Sequence, residues 1–285
     1  MDDLKIKQAL SDLYDMVAPQ YERAIVPVYR PIAKRMLQLI DLRPGWQVLD
    51  GGTGTGLVAL MGAPRVGKSG KMIGIDASEQ MLEIARHKAA QYGFTQCDFR
   101  VGDLEALDLP DAQFNAVLSQ FALHHTAASN TLREFQRVLM PGGTLVLHEW
   151  ADAPHQPNKV VFDVLAKYRA AEASGALAVL RAQAERAYAF RQNASSPEKI
   201  TELVQSAGFS NVEARIEPHA ASVANVEALL DLATTSPTIR SEMSAMSENA
   251  QAAFLKEARE ALGAFASPTG FAWNYNVLVL IAHKP

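Results

Sequence analysis

Nine residues, Val48-Leu49-Asp50-Gly51-Gly52-Thr53-Gly54-Thr55-Gly56, constrain this chain more than any other stretch. An apolar run ends in an acid, glycine then recurs at every second position from Gly52 to Gly56, and apolar-periodic residues follow. The pattern predicts a strand, a tight turn and a helix start, in which a backbone without Cβ atoms approaches a nucleotide-like ligand closely. The acid narrows the ligand. A carboxylate at the strand end repels a pyrophosphate and attracts a cation such as an amino group or a sulfonium. The dinucleotide fingerprint also fails, because Leu57 stands where the third glycine belongs.

Strand-like and helix-like patterns alternate through the first half. Strands are expected at Gln47–Gly51, Lys71–Asp76, Asp98–Asp103, Phe114–Phe121 and Thr144–Trp150. Between them, Ser78 can cap a helix that Gly93 closes, and Leu132, Phe135, Val138 and Leu139 form an amphipathic stripe stopped by Pro141-Gly142-Gly143. Such alternation argues for an α/β fold, a parallel sheet with helices on both faces. The second half differs. Residues 155–192 and 222–264 are helical in pattern, a short helix starts at Ser196-Pro197-Glu198, and strands six and seven are expected at Asn211–Ile216 and Trp273–Ala282. The expected organisation is an N-terminal helical lid over 1–43, a ligand-binding core over 44–150 and a helical insertion over 151–195. The rest of the core then occupies 196–285, with a second insertion at about 222–264.

Asp50, Asp76 and Asp103 close three successive expected strands, so three acids face one crevice at the carboxyl edge of the sheet. With these acids, four further segments complete a pattern. They are Ile73-Gly74-Ile75-Asp76-Ala77-Ser78, the run Gly102 to Pro110, Phe121-Ala122-Leu123-His124-His125, and the run Glu134 to Gly143. In this order they resemble the class I S-adenosylmethionine-dependent methyltransferases, and are similar to the ubiquinone and menaquinone biosynthesis branch. The resemblance covers residues 44–150 well, with Ser206-Ala207-Gly208-Phe209 a weaker match further on.

The resemblance implies a Rossmann-like fold: a seven-stranded, mostly parallel sheet with an antiparallel last strand, plus helical cap insertions. It also implies roles. Gly52, Gly54 and Gly56 would pack against the amino-acid end and ribose of S-adenosylmethionine, and Asp50 would anchor its amino group. Asp76 would accept both ribose hydroxyls. Asp103 would accept from the adenine amino group, with Leu104 lending its N–H and with Ala77 and Met81 packing on the ring. Gln120 would lie near the transferred methyl. Tyr14 or Tyr21, in a segment similar to the family's entry motif, would close over the cofactor or anchor a capping helix.

His124 and His125 after the fourth strand, and His148 near the end of the fifth, are the candidate proton acceptors for a hydroxyl or amine nucleophile, or else packing residues under the acceptor loop. No metal site is expected, since no spacing matches a metal cluster. Gly62-Ala63-Pro64-Arg65-Val66-Gly67-Lys68-Ser69 fits the P-loop letters, but it follows a helix and precedes a strand, the reverse of what phosphate binding needs.

Bulk properties bound the function. The 285 residues carry 27 basic and 31 acidic side chains with no long basic block, which argues against nucleic-acid binding. Cys97 is the single cysteine, so neither an intrachain disulfide nor a cysteine zinc cluster is possible. The segment Met1-Asp2-Asp3-Leu4-Lys5 has no signal-peptide character, and no stretch approaches the roughly 18 apolar residues of a membrane span. The expectation is a cytoplasmic methyltransferase that releases S-adenosylhomocysteine after alkylating an O, N or C atom of a small, apolar acceptor. Its alternatives are a cofactor-binding protein of the same fold with non-methylating chemistry, and a protein methyltransferase. Aromatic residues of the insertions (Phe162, Leu165, Tyr168, Tyr188 and Phe190 mark the stretch) suit either an acceptor pocket or a homodimer interface.

Overall fold

Neighbouring residues of the apolar runs go to opposite sides of one sheet, the period-two signature of strands covered on both faces. Leu49, Ile73 and Val117 enter one core with Phe114, Phe135 and Leu278, while Val48, Met72, Ala116 and Leu118 enter another with Val58, Leu82 and Phe99. The computed structural model describes residues 3–151, 156–194, 196–267 and 269–285. Its strands are β1 (Gln47–Gly51), β2 (Lys71–Asp76), β3 (Cys97–Val101), β4 (Phe114–Gln120), β5 (Leu139–Trp150), β6 (Ser210–Val223) and β7 (Phe271–His283). They form one seven-stranded sheet in the order β3-β2-β1-β4-β5-β7-β6. Strands β1 to β5 pair in parallel and β7 runs antiparallel to β5, as expected. The chain steps outward from β1 to β3 and then crosses to β4 on the other side of β1, which creates the switch point where ligands of such sheets bind.

Two compact units divide the chain. One comprises Tyr29–Asp152, Arg186–Glu217 and Asn276–Pro285. It holds most of the sheet, with α3 (Leu57–Val66), α4 (Glu79–Tyr92), α5 (Ala128–Val138) and α8 (Pro197–Ser206). Helix α4 is capped by Ser78, whose side chain accepts from the Met81 N–H, and is closed by Gly93 in the left-handed region. Helix α8 starts on Pro197 behind an Ser196 cap.

The other unit comprises residues up to Val28, Ala153–Glu185 and Pro218–Tyr275. It contains α1 (Asp3–Ala24), α6 (Gln156–Leu165), α9 (Val226–Thr234), α10 (Pro237–Ser244) and α11 (Glu248–Gly263). Its core gathers Val161, Leu165, Leu229, Ile239, Phe254 and Leu262, with Tyr168 packed against it. The buried Glu242 carboxylate accepts from Nε and a terminal nitrogen of Arg181, at 2.7 and 2.8 Å. Two further helices, α2 (Val26–Gln38) and α7 (Gly175–Ala194), run across the unit boundaries.

Three element boundaries differ from expectation. Strand β6 continues through Pro218 to Val223 rather than stopping at Ile216. It is the last strand of the sheet, and an edge strand tolerates the missing N–H of proline. Helix α5 ends at Val138, before Pro141-Gly142-Gly143, which lies inside β5; that strand starts at Leu139 with a register shift opposite Phe114 and Ala116. Gly142 at φ +75° makes that irregularity accessible. Strand β3 ends at Val101, so Asp103 stands two residues beyond it in a turn. The P-loop-like segment is the end of α3 and the turn before β2.

Candidate active site

The carboxyl ends of β1 and β2 carry the glycine turn. Gly52 and Thr53 donate their N–H groups to the Ile75 carbonyl at 2.8 and 3.0 Å, and the Gly54 N–H donates to Asp76 Oδ2 at 2.8 Å. Asp76 Oδ1 accepts from the Ser78 N–H at 3.0 Å. The carboxylate expected to meet the ribose is thus fixed from both sides, by the turn and by the start of α4. Gly52 and Gly56 sit at φ +74° and +80°, where a side chain is strained. A Cβ on Gly52 would stand 2.2 Å from Ala122 Cβ, and one on Gly56 would stand 2.9 Å from Ala85 Cβ. Both positions need glycine for turn shape and for close packing.

Asp50 has a second task that sequence reasoning did not foresee. Helix α3 begins after Gly56, which has no side chain to cap it. Asp50 Oδ2 takes that place, accepting from the Ala59 N–H at 3.0 Å and from Thr53 Oγ1 at 2.7 Å. The carboxyl is 1% exposed, and its burial pushes the pKa up to about 7 against the two hydrogen bonds that lower it; nearby Asp76 raises it further. Asp50 is therefore the acid that ties strand, turn and helix together.

Asp103 Oδ1 accepts from the Glu105 N–H at 2.9 Å, a turn that presents Leu104 inward, where it is 7% exposed. The Glu134–Arg137 pair holds this loop. Glu134 Oε2 accepts from the Leu107 N–H at 2.7 Å, while Arg137 donates to the Leu107 and Leu109 carbonyls at 2.9 and 2.8 Å. Met81 is buried at 2% exposure in the first turn of α4, and Ala77 beside it is exposed.

Beyond β4 the geometry changes character. Gln120 ends the strand half-buried, and its Oε1 is buried without a hydrogen-bond partner, as is Thr55 Oγ1 in the glycine turn. Phe121 follows at φ +58°, a strained conformation for an aromatic residue, fixed by its N–H donating to the His148 carbonyl at 2.8 Å. Its ring stacks on Trp150 at 4.1 Å between centroids, with Tyr29 5.0 Å from Phe121 and 5.8 Å from Trp150. The next turn, Leu123–His125, carries both expected histidines.

His124 and Glu149 form a buried pair. His124 Nδ1 lies 2.8 Å from Glu149 Oε2, and the His124 N–H donates to Glu149 Oε1 at 3.3 Å. A carboxylate only accepts, so it places the hydrogen on Nδ1 and the lone pair on Nε2. His125 lies against His124, ring centroids 4.0 Å apart. Burial of its imidazole, then the charges of His124 and Arg191, push its pKa well below the ordinary value and keep it neutral. His148 is fully buried inside β5, in register with Gln120 of β4 and Val279 of β7. Tyr14 and Tyr21 lie on α1 in the helical unit, edge-on to each other at 6.5 Å.

The acids, glycines and histidines named from the sequence thus lie along the carboxyl edge of the sheet, while the Tyr29–Phe121–Trp150 cluster and the pairing of His124 with Glu149 were not expected from it. Trp150 ends the same strand as His148, so strand periodicity was the available signal. Nothing in the sequence links Tyr29 to it. Among the described residues, no helix is long and apolar enough to cross a membrane, and no three His, Cys, Asp or Glu side chains group as metal ligands.

These residues fit S-adenosylmethionine. A turn with Gly52, Gly54 and Gly56, a carboxylate held at the end of β2, and the partnerless Thr55 and Gln120 oxygens offer the close approach and acceptors that its amino and hydroxyl donors need. Comparison with known proteins agrees. A methyltransferase-domain family profile matches residues 48–143. Nocamycin O-methyltransferase of Saccharothrix syringae is 30% identical over 229 residues, 76% of this chain and 78% of that protein. Demethylmenaquinone methyltransferase of Staphylococcus saprophyticus is 29% identical over 223 residues, 75% of this chain and 93% of that protein. The crystal structure of the cyclase SpnF shares the fold, with a TM-score of 0.59 at 20% identity over 98% of this chain and 97% of its own. With that profile over its glycine turn and strand-end acids, and a relative matched along most of both lengths, this chain belongs to the class I S-adenosylmethionine-dependent methyltransferases.

Proposed function

We propose that the enzyme methylates a hydroxyl oxygen of a small, largely apolar acceptor, with His124 as the general base. The buried His124–Glu149 pair carries this reading. S-adenosylmethionine, when bound, supplies an electrophilic methyl on a sulfonium and departs as neutral S-adenosylhomocysteine. The chain has little acid chemistry to perform at sulfur. Its tasks are alignment, exclusion of water and removal of the acceptor's proton.

Asp76 would hold the ribose hydroxyls and the glycine turn would meet the amino-acid end. Asp103 and Leu104 would meet the adenine, and Gln120 Oε1 would accept a donor from the ligand. Tyr29, Phe121 and Trp150 give the acceptor an apolar wall beside His124. As the acceptor oxygen gains the methyl, its proton passes to His124 Nε2, and Glu149 stabilises the imidazolium through Nδ1. Nocamycin O-methyltransferase, by its name an oxygen alkylator, supports the choice of oxygen.

The test uses purified protein, S-adenosylmethionine and a panel of apolar phenols, hydroxyquinones, amines and thiols, with release of S-adenosylhomocysteine as the readout. Turnover is expected with hydroxyl acceptors. His124→Gln should lower kcat by about 10²–10⁴-fold while leaving S-adenosylhomocysteine affinity within twofold. A variant that transfers as fast as the parent would end the assignment of His124, and turnover confined to amines or thiols would end that of oxygen.

A further inference from the structure

Arg191 stands near the end of α7, half-buried, and its Nε is buried without a hydrogen-bond partner. Among the described residues no carboxylate pairs with it. That sets it apart from Arg35, Arg86, Arg137, Arg181, Arg215 and Arg259, each of which meets an acid at 3.1 Å or less. Its neighbours in α7 face the first of the two sheet cores. Phe190 and Ala194, on either side of it in α7, join the core that contains Leu123 and Ala151. The guanidinium is close enough to His125 for its charge to disfavour a second cation there.

The acids that meet the stretch from His124 to Ala127 are already engaged. Both Glu149 oxygens face His124, and Glu105 Oε1 accepts from the Ala127 N–H at 3.0 Å. A guanidinium drawn partly out of water next to a neutral imidazole loses hydration that no protein group replaces. Planar and permanently charged, it matches one ligand group best, a carboxylate held by two parallel N–H donors.

We propose that Arg191 is a carboxylate receptor of the transfer site, seating an anionic end of a ligand beside the Leu123–His125 turn. The proposal rests on the reading of this edge as the methyl-transfer site. Two molecules can bring the carboxylate: the acceptor, or the amino-acid end of the S-adenosyl ligand.

Calorimetry on the full chain separates them. S-adenosylhomocysteine is titrated into the parent, Arg191→Gln and Arg191→Lys proteins. Then 4-hydroxybenzoate, benzoate and their two carboxamides are titrated into each protein saturated with S-adenosylhomocysteine. The expected result is a loss of roughly tenfold or more in Arg191→Gln for one carboxylate ligand, partly restored in Arg191→Lys, with unchanged melting temperature. A loss confined to the benzoates, which then bind no better than the amides, assigns the carboxylate to the acceptor. A loss confined to S-adenosylhomocysteine assigns it to the cofactor. The proposal is overturned if S-adenosylhomocysteine affinity stays within twofold in Arg191→Gln and the parent binds the benzoates no better than their amides. The amide comparison in the parent stands even if a variant misfolds. A parent that binds no S-adenosylhomocysteine would instead overturn the reading of the site, and the proposal with it.

Discussion

Replacing Gly52 by alanine tests how the glycine turn and the acceptor side of the site are joined. The added methyl carbon would lie 2.2 Å from Ala122 Cβ, on a backbone at φ +74°. The left-handed backbone costs a residue with a Cβ about 1–2 kcal/mol. Carbon atoms rest at about 3.5–4.0 Å, so relief of the overlap needs a shift above ~1 Å, and forced overpacking of this kind costs about 1–3 kcal/mol. Neither side yields easily. The Gly52 N–H is bonded to Ile75 at 2.8 Å, and the Phe121 N–H before Ala122 is bonded to His148 at 2.8 Å. The variant should therefore lose about 2–5 kcal/mol, a large share of the ~5–15 kcal/mol that a folded domain has. Adding Ala122→Gly removes the overlap but not the backbone strain. Urea unfolding of the four proteins should then give a favourable coupling of about 1–3 kcal/mol, with S-adenosylhomocysteine affinity partly recovered in the double variant. A single variant that loses less than about 1 kcal/mol, or a cycle without coupling, would refute the contact argument.

Three further predictions address charges. The raised pKa of Asp50, about 7 when folded against 3.8 otherwise, means the folded state holds the proton more tightly. Its contribution is complete below about pH 4 and is lost as pH rises through 7, a fall of about 4 kcal/mol as an upper figure. Asp50→Asn should flatten that slope in urea midpoints taken between pH 4 and 8, and parallel curves for the two proteins would contradict it. Glu217 behaves oppositely: Arg35 first, aided by Arg215, holds its carboxyl at about 2. Its stabilisation is present above about pH 4.5 and lost as pH falls toward 2, and Glu217→Gln should cost about 1–2 kcal/mol at pH 7 after allowance for solvent at Arg35, and nothing at pH 2. Equal losses at both pH values would count against the Arg35 pairing. Glu149→Gln should lower kcat by about 10²–10⁴-fold with KM little changed, because a neutral amide neither fixes the His124 tautomer nor stabilises the imidazolium. An unaltered pH–rate profile would show that the pair is only structural.

The binding half of the site was legible because its chemistry is local. Asp50, the glycines, Asp76 and Ala77 fall within short segments whose letters fix backbone shape, and strand ends at a switch point must meet in one crevice. The proposed acceptor half is not local. Tyr29 meets Trp150, and the end of α7 joins the core that contains Leu123, only through tertiary packing, which leaves no periodic trace in a single sequence. Asp50 shows a subtler limit. Its position was evident, but its role as the cap of α3 depends on Gly56 having no side chain to do the same, and on a turn geometry that letters alone do not report. Likewise the sixth strand was expected to end at Ile216, and its continuation through Pro218 depends on β6 being an edge strand, which letters alone do not report.

Charge is distributed unevenly along the carboxyl edge. Asp50 and Asp76 stand at the ends of β1 and β2 and Asp103 just beyond β3, while beyond β4 the Glu149 carboxylate is taken up by His124 and Arg191 has no acid partner among the described residues. The two halves also share a mechanical contact, Gly52 against Ala122, which lies between the strained Phe121 and His124. A movement of the glycine turn therefore reaches His124, the proposed general base, through packed backbone rather than through solvent. Binding at one side should set the alignment at the other, which is what a reaction governed by positioning requires.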